Sequence, residues 1–410
     1  MAERIKAPRG TFDSLPGQEP VRRRIVETSR RRLEAAGYGR IETPAFEETE
    51  LFARGVGEST EVVQKQMFTF SDQGGRSLTL RPEATASICR AYVEHGMHKL
   101  PQPVKLWTSG PCFRHERPQA GRFRQFHQVD AEAIGSNSPL ADAELITLLW
   151  DILGELGAEG IELRLGSLGS LRARAAYLGE LTAFLKRHED EVADEVRARM
   201  EINPLRAFDA ADEGTRQVMA EAPRLLDSLE GEDIEHFDAV RVLLDQAGVP
   251  YEVDPTMVRG LDYYTRTVFE LHCDRLGAQS QIGGGGRYDG LIEQLGGPAT
   301  PAIGWAIGIE RVALALAEPE SPQRVDVFIV AGEEDRERAL ALATELRRAG
   351  VAADLDLAGR SHKGQMKQAD RSGAGRVVLL EGGRARVRDF GSGEEREADP
   401  SSLVGELAGG

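Results

Sequence analysis

The stretch that decides the fold covers residues 113–135 and reads FRHERPQAGRFRQFHQVDAEAIG. Arg114 and Glu116 stand two apart, so on a strand they point to the same face. There the arginine can bind a phosphate while the carboxylate accepts a hydrogen bond from a base amine. A loop ends at Gly121, and Phe126 lies on the segment that returns from it, where its ring could stack on a planar base. An exposed Arg–Glu pair would also explain the first half of this pattern.

The surroundings of this stretch are basic although the whole chain is acidic. The formal net charge is −16, yet residues 98–127 contain six lysines and arginines against the single acid Glu116. Residues 187–235, in contrast, contain 15 acids against 6 bases. Because an acidic chain has concentrated its cations in one short segment, residues 98–127 are predicted to bind a polyanion. A solvated basic face is the alternative.

Composition favours a soluble cytoplasmic protein with more than one domain. The chain has 410 residues, 40% of them hydrophobic, which is enough for two or three domains. An apolar run of about 18 residues is absent from the sequence, and the amino terminus lacks the apolar segment of a signal peptide, so neither a membrane span nor export is expected. Cys89, Cys112 and Cys273 are too far apart for a CxxC metal or redox motif, which predicts free thiols and no metal site of that kind.

Hydrophobic periodicity predicts a mixed architecture. Residues 20–36 have helical spacing and precede Gly37, where a helix would end. Helix-like and strand-like stretches then alternate. The helix-like stretch is 139–156, and the strand-like ones are 105–107, 125–133 and 161–165. This mixture predicts an α+β domain with a mainly antiparallel sheet flanked by helices.

Two features divide the chain. Residues 171–248 are helical and charged, which indicates an insertion into a domain of residues 1–320. Pro319 and Pro322 mark a linker. Beyond it, residues 325–410 alternate strand and helix, as is typical of a separate small α/β domain.

Residues 113–130 resemble motif 2 of the class II aminoacyl-tRNA synthetases, and two further segments agree. Residues 37–44, GYGRIETP, are similar to motif 1, whose proline lies in the dimer interface of that class. Residues 304–311, GWAIGIER, are similar to motif 3, where glycines let ATP approach the backbone and the arginine contacts its tail. A tight turn and a helix-start ion pair are the structural alternatives for these glycines and for Arg311.

Three more segments are similar to the histidyl-tRNA synthetase family within that class. Residues 258–271, VRGLDYYTRTVFEL, resemble its first histidine-specific motif, and residues 283–290, GGGGRYDG, resemble its second. Residues 80–85, LRPEAT, match its substrate loop. The resemblance covers nearly the whole chain. It implies a class II catalytic domain over residues 1–320, interrupted by the helical insertion 171–248, and an α/β anticodon-binding domain over residues 325–410.

The resemblance implies that L-histidine and ATP with Mg²⁺ bind in one site. The residues implied to bind ATP are Arg114, Glu116, Phe126, Gly308 and Arg311. Those implied to bind histidine are Glu83, Thr85, Gln128, Glu132, Tyr263, Tyr264 and Gly284. Glu132 and Tyr264 are expected to face the imidazole, since a buried carboxylate paired with a ring N–H rejects ligands that lack this donor. A solvent-facing strand residue is the alternative for Glu132.

Catalysis is assigned by resemblance to Arg114 and Arg259. When the histidine carboxylate attacks the α-phosphorus of ATP, two anions meet, and a fixed cation at that point stabilises the transition state. In the family Arg259 takes this place. The sequence without the resemblance would predict only a structural salt bridge for Arg259.

Contacts with tRNA are expected in two places. By resemblance, Arg117 and Gln119 lie at the acceptor end and read its first base pair. Lys363, Lys367 and Arg371 are spaced by four and would share one helix face that contacts phosphates, although a solvated charged face is the alternative. The whole pattern implies a cytoplasmic homodimer that charges tRNA with histidine, without a tightly bound organic cofactor. The rival is a non-catalytic paralogue, such as a histidine-sensing regulatory subunit.

Overall fold

A computed structural model describes residues 4–57, 60–257, 261–316, 325–399 and 401–408. The chain divides into two compact units, one of Met1–Ser14 and Val21–Pro319 and the other of Leu15–Pro20 and Glu320–Gly410. Among the described residues there is no helix long and apolar enough to cross a membrane.

Strands dominate the centre of the first unit. They are β1 Gly39–Arg40, β2 Phe46–Glu48, β3 Phe68–Ser71, β4 Ser77–Leu80, β5 Val104–Phe113, β6 Gln125–Ile134, β7 Ile161–Ser167, β8 Glu252–Val253, β9 Thr265–Cys273, β10 Gln281–Arg287 and β11 Ala302–Gly308. Within the described residues, eight of them form one sheet in the order β1-β5-β6-β11-β10-β9-β7-β8. All neighbours are antiparallel except the outer pairs β1–β5 and β7–β8. The predicted mainly antiparallel sheet is confirmed.

Helices flank this sheet, and a small antiparallel sheet of order β2-β4-β3 accompanies it. The helices are α1 Glu19–Ala35, α2 Thr49–Val56, α3 Thr85–Glu94, α4 Pro139–Glu155, α5 Leu171–Arg187, α6 Asp194–Arg197, α7 Glu213–Ala220, α8 Glu232–Ala247, α9 Leu291–Gln294 and α10 Ile309–Ala315. Short 3-10 turns cover Met97–Lys99, Glu189–Glu191, Pro204–Asp209, Leu225–Ser228 and Asp274–Gln279, and a π-helical turn covers Val62–Gln66.

Strand β6 shows why the sheet has one apolar face and one functional face. Val129, Ala131 and Ala133 join the main hydrophobic core together with residues of α1, α4 and α8. Because side chains alternate along a strand, Gln128, Asp130 and Glu132 point the other way. The helices thus bury one face of β6 and leave a polar row on the opposite face.

The helical segment predicted as an insertion contributes to two hydrophobic clusters. Helix α5 contributes Tyr177 and Leu181 to a cluster that also contains Ile88 of α3. Helix α8 instead packs against α4, and its Phe237 and Val240 belong to the main core. The charged pattern of this segment identified its helices without revealing that the last one completes the core of the sheet domain.

A buried ionic network joins β10 to α4 and α8. Arg287 is fully buried, and its Nη2 lies 2.6 Å from Asp142 Oδ1 of α4. The other oxygen of Asp142 lies 2.8 Å from Nε2 of His236 on α8. Removing one partner of such a network leaves a desolvated charge, which typically costs about 3–5 kcal/mol. Arg287 therefore anchors the strand that carries the glycine run.

The second unit is a small α/β domain. Its strands are β12 Val327–Ala331, β13 Ala353–Leu355, β14 Arg376–Glu381, β15 Arg384–Asp389 and β16 Glu395–Ala398, and its helices are α11 Arg336–Arg348, α12 His362–Arg371 and α13 Leu403–Ala408. A 3-10 turn at Glu333–Asp335 precedes α11. The described strands form a sheet in the order β13-β12-β14-β15-β16, in which β12 is parallel to β13 and β14.

Both faces of β12 are covered in this unit. Val327 and Ile329 pack with α11 and α13, whereas Phe328 and Val330 pack with Ala369 of α12. Such two-sided burial accounts for the continuous apolar run of this strand. The outer face of α12 is left to solvent.

Candidate active site

A cavity of about 270 Å³ opens on the polar face of the large sheet. Residues of β6, β9, β10 and β11 line it, together with the start of α3 and the loop between β5 and β6. Most residues that the sequence assigned to ATP and histidine meet here. They are Glu83, Thr85, Arg114, Glu116, Phe126, Gln128, Tyr263, Tyr264, Gly284, Gly308 and Arg311.

The floor of the cavity requires glycine at the contact between β10 and β11. A Cβ on Gly285 would lie 2.0 Å from the carbonyl oxygen of Gly304. A Cβ on Gly304 would lie 1.5 Å from Oε2 of Glu132 on the next strand. The glycine run is therefore part of a strand whose backbone closely approaches its neighbours, and a side chain at Gly304 would displace Glu132.

Glu132 lies beneath this floor and does not itself line the cavity. Its side chain is fully buried. Thr85 Oγ1 donates to Oε1 over 2.7 Å, and the hydroxyl of Tyr288 donates to Oε2. Burial raises the pKa of Glu132, while the two hydroxyl donors act in the opposite direction. Thr85 and Tyr288 both line the cavity, so Glu132 supports two groups that a ligand would meet.

Glu83 is fixed by the first turn of α3. Its Oε2 accepts the backbone N–H of Thr85 and its Oε1 accepts that of Ala86, both at 2.8 Å. An acid at a helix N-terminus is favourable because it binds amides that lack a helical partner. Burial raises the pKa of Glu83, and these amides and Arg114 oppose the shift.

Three tyrosines form the wall beside Glu132. The ring centroid of Tyr263 lies 4.7 Å from that of Tyr264 and 5.7 Å from that of Tyr288. Nη1 of Arg174 in α5 donates to the carbonyls of Asp262 and Tyr264, at 2.9 and 3.1 Å. The segment before β9 is thereby held in place, and the wall combines flat apolar surface with hydroxyl groups.

The opposite end of the cavity carries loosely arranged charges. Arg114 donates through Nε to the carbonyl of Pro82 at 2.9 Å, and its guanidinium lies 5.4 Å from the ring centroid of Phe126. The carboxylate of Glu116 lies 4.0 Å from Arg114 and 3.5 Å from Arg122. These separations are longer than a hydrogen bond, so the arginines can turn toward an anionic ligand.

Arg311 closes this end from α10. Its Nε donates to the carbonyl of Gln281 in β10. Burial and the neighbouring Arg122 lower the pKa of Arg311. Two cations held near each other in a partly desolvated place favour a polyanion such as a nucleotide tail.

The comparisons with known proteins agree with this geometry. A family model described as histidyl-tRNA synthetase matches residues 10–312. The chain belongs to the histidyl-tRNA synthetase family. A histidine–tRNA ligase of Rubrobacter xylanophilus is 47% identical, with 98% of this chain and 99% of that protein covered. One of Halothermothrix orenii is 46% identical, also with 98% of this chain and 99% of that protein covered.

A solved structure supports the same membership. The apo histidyl-tRNA synthetase of S. aureus matches with a TM-score of 0.84 and 36% identity, covering 99% of this chain and 100% of that chain. The resemblance drawn from the motifs is confirmed, and so is the class II fold.

The other predicted site residues are not among the described residues that line the cavity. Arg259 lies outside the described residues, so its catalytic role stays a prediction. Arg117 and Gln119 are exposed on the loop between β5 and β6. In the second unit, the three cations of α12 are exposed on one face, while Gln365 and Ala369 of that helix are buried. These cations are Lys363, Lys367 and Arg371.

Three residues in or beside the cavity belong to the quoted motifs but received no role from the sequence. Asp130 and Tyr288 line the cavity. Arg81, from the substrate loop, is buried and donates to the carbonyls of Pro111 and Thr43. Asp130 could have been found, since it occupies the same alternating row as Gln128 and Glu132. The contact of Tyr288 with Glu132 spans 156 residues of sequence, and periodicity carries no signal for it.

A resident metal site is not evident in the described part of the chain, where no group of three or more His, Cys, Asp or Glu residues could hold an ion. Glu270 nevertheless lines the cavity. Carboxylate oxygens are ligands that Mg²⁺ prefers, so this residue could hold a magnesium ion.

Proposed function

We propose that this protein is a histidine–tRNA ligase that activates L-histidine with ATP and then transfers it to the 3′ end of its tRNA. The observation that carries the proposal is that residues of motif 2, motif 3, the substrate loop and both histidine-specific motifs line one cavity. The relatives described above are histidine–tRNA ligases at 46–47% identity over nearly the whole chain. These names favour the ligase over a regulatory paralogue.

In the first step the histidine carboxylate attacks the α-phosphorus of ATP. A P–O bond to histidine forms, and the bond to pyrophosphate breaks. Negative charge grows on the phosphoryl oxygens, and Arg114 and Arg259 are assigned to offset it. Arg311 holds the terminal phosphate, while Phe126 and Glu116 receive the adenine. Mg²⁺ enters as part of the ATP substrate.

Histidine is placed with its ring toward Glu132 and the tyrosines. Glu132 lies beneath the floor, and we propose that a ring N–H reaches it between Thr85 and Tyr288, the two hydroxyl donors that line the cavity. A carboxylate offers about four acceptor positions, so two donors leave room for this N–H. Tyr264 and Tyr263 contact the ring, and Gly284 lets it approach the floor. Glu83, Thr85 and Gln128 supply acceptors near the α-amino group. Since the pocket matches a ring N–H with a buried carboxylate, isosteres without that N–H are rejected.

In the second step a hydroxyl of the terminal tRNA nucleotide attacks the activated carbonyl, and AMP leaves. We assign Arg117 and Gln119 to the acceptor end because both are exposed on the loop that borders the cavity. We assign residues 325–410 to anticodon binding, with the exposed cations of α12 as phosphate contacts. Residues 1–320 then form the catalytic domain, interrupted by the helical residues 171–248.

The active form is proposed to be a cytoplasmic homodimer, as expected of this family. Support comes from the small sheet next to motif 1, where Phe46 is 50% exposed and Phe70 is 44% exposed. Their ring centroids lie 6.4 Å apart, so they form a joint apolar surface that a second copy could cover. We propose a cytoplasmic location because the proposed tRNA substrate is used there.

Exchange of labelled pyrophosphate into ATP tests the proposed activity. We expect exchange that depends on histidine, and charging of histidine-accepting tRNA by the same preparation. A regulatory paralogue would bind histidine without supporting exchange, and this result would remove the proposal. Replacing histidine by each of the other amino acids in turn provides the control for specificity.

A further inference from the structure

Asp130 is a buried acid of the cavity that none of the assigned roles uses. It is 1% exposed and lines the cavity. Its Oδ1 atom has no hydrogen-bond partner among the residues that the structure describes. Because a buried polar atom without a partner is unfavourable, the atom calls for a donor that a ligand would bring.

The position of Asp130 on β6 indicates which part of a ligand it meets. Gln128 pairs with Gly308, which is assigned to ATP, and Glu132, which is assigned to the ring, pairs with Gly304. Asp130 lies between them, opposite Ala306. Residues on the same face of an antiparallel strand follow at about 6.8 Å. An amino acid that extends its carboxylate toward ATP and its ring toward Glu132 has its α-amino group in the middle.

The groups that face Asp130 make it the available acceptor for a cation. Burial and Glu83 raise the pKa of Asp130 to about 8, whereas Arg81 and Arg114 act in the opposite direction. Cys112 and Glu132 are further neighbours whose own pKa values respond to Asp130. Each oxygen of Glu83 already binds a backbone amide, whereas Oδ1 of Asp130 has no donor among the described residues. Of these two acids, Asp130 therefore gains more from a cationic ligand.

We propose that Asp130 binds the α-ammonium group of histidine and thereby sets the preference of the pocket for ligands that carry this cation. The inference rests on the proposed function, since it assumes that histidine occupies the cavity. Asp130 is then an additional substrate-binding residue beside Glu83, Thr85 and Gln128.

Binding should also release a proton. At a pH below about 8 the free carboxyl of Asp130 is mostly protonated, and a bound cation favours its ionised form. The proton therefore leaves as histidine binds, and affinity rises with pH until Asp130 is already ionised in the free protein.

Two histidine analogues test the contact directly. Histidinol keeps the ring and the ammonium group, whereas 3-(imidazolyl)propionate keeps the ring and the carboxylate. Calorimetry on the full chain should show that Asp130→Asn weakens histidinol binding by about 10–100-fold and leaves propionate binding within about 3-fold of the parent value. Glu144→Gln, on α4 outside the cavity lining, is the matched control. Equal weakening of both ligands, or unchanged histidinol binding, would overturn the proposal.

Further readouts keep this test decisive. In buffers of different ionisation enthalpy, the parent protein should release more protons than Asp130→Asn upon binding histidinol. Undiminished release would assign the titration to Glu83 and contradict the proposal. If Asp130→Asn fails to fold, Asp130→Ser repeats the comparison. If the parent protein shows no histidine-dependent pyrophosphate exchange, the proposed function is refuted. If the parent protein shows this exchange but Asp130→Asn keeps the ligand preference of the parent, only the role of Asp130 is refuted.

Discussion

The buried carboxylates of the cavity and the exposed cations of α12 use charge in opposite ways. Glu83 and Glu132 are 3% and 0% exposed, and each holds two hydrogen-bond donors. Lys363, Lys367 and Arg371 face solvent. A buried charge that loses its partner is costly, whereas an exposed ion pair is worth about 0–1 kcal/mol.

This difference determines how well each region can distinguish one ligand from another. In the cavity, a ligand that lacks the right donor leaves a desolvated acceptor unpaired, so single groups decide between ligands. On α12, each cation adds a small attraction that salt screens and that any phosphate can satisfy. Substitutions in the cavity should therefore have large effects that differ between ligands. Substitutions on α12 should have small effects that are similar for all nucleic-acid ligands.

The hardest test of this contrast is Arg259, a cation that the resemblance assigns to the cavity. We expect Arg259→His to lower the rate of histidyl-adenylate formation by about 10²–10³-fold, because its contact strengthens as charge grows on the α-phosphoryl group. Substrate binding should change less. Single-turnover kinetics that follow adenylate formation and tRNA charging separately provide the measurement.

Transfer from preformed adenylate serves as the internal control for Arg259, since that step involves no attack on a phosphate. It should be affected much less than activation. A normal rate of adenylate formation would show that Arg259 is structural, and so would an equal loss of both steps accompanied by loss of folding. Arg164→His, on the exposed side of β7, controls for the general effect of such a replacement.

A smaller effect is expected for Glu132→Gln. The change replaces an acceptor oxygen beneath the ring end of the cavity by an amide donor, so Thr85 or Tyr288 must accept from that amide. We expect KM for histidine to rise by about 10–100-fold, because the ring N–H loses a buried acceptor. KM for ATP should stay within about 3-fold, because the nucleotide end keeps its arginines. Steady-state pyrophosphate exchange measures both constants.

Tyr288→Phe sharpens the assignment of Glu132. This variant keeps the carboxylate and the ring surface but removes one hydroxyl donor, so it should raise KM for histidine less than Glu132→Gln does. Equal increases in KM for histidine and ATP in Glu132→Gln would place Glu132 in the framework of the fold and not in the histidine pocket.

Local sequence patterns predicted helices and strands of the fold, but they did not predict which elements far apart in the sequence pack together. The helix expected at 139–156 is α4, Pro139–Glu155, and the strand expected at 125–133 is β6, Gln125–Ile134. Each of these elements is predicted by the spacing of apolar residues within its own segment. Helix α8 shows the limit, because the charged helical pattern of residues 171–248 indicated a helix but not its packing against α4 in the main core.

In the candidate site, too, local patterns were predictable from the sequence and contacts between distant segments were not. Residues of contiguous motifs, such as Glu83 and Arg114, line the cavity as the motifs predict, because a motif is a local pattern. Asp130 was overlooked, although it lies in the alternating row, since the motifs assigned chemistry only to its neighbours Gln128 and Glu132. Its unpaired oxygen emerges only when β5, β6 and α3 are brought together around it.

The smallest expected effect concerns the exposed side of the contrast. Lys367→Ala, at the centre of the α12 face, should weaken tRNA binding by only a few-fold and reduce the slope of log affinity against log salt by about 0.7–0.9. KM for histidine and for ATP in pyrophosphate exchange should not change, because activation needs no tRNA.

The matched control is Arg348→Ala, which removes an exposed cation at the end of α11 in the same unit and should leave the slope unchanged. An unchanged slope for Lys367→Ala would show that the α12 cations are only a solvated face, and a change in KM for histidine would break the separation between buried and exposed charges.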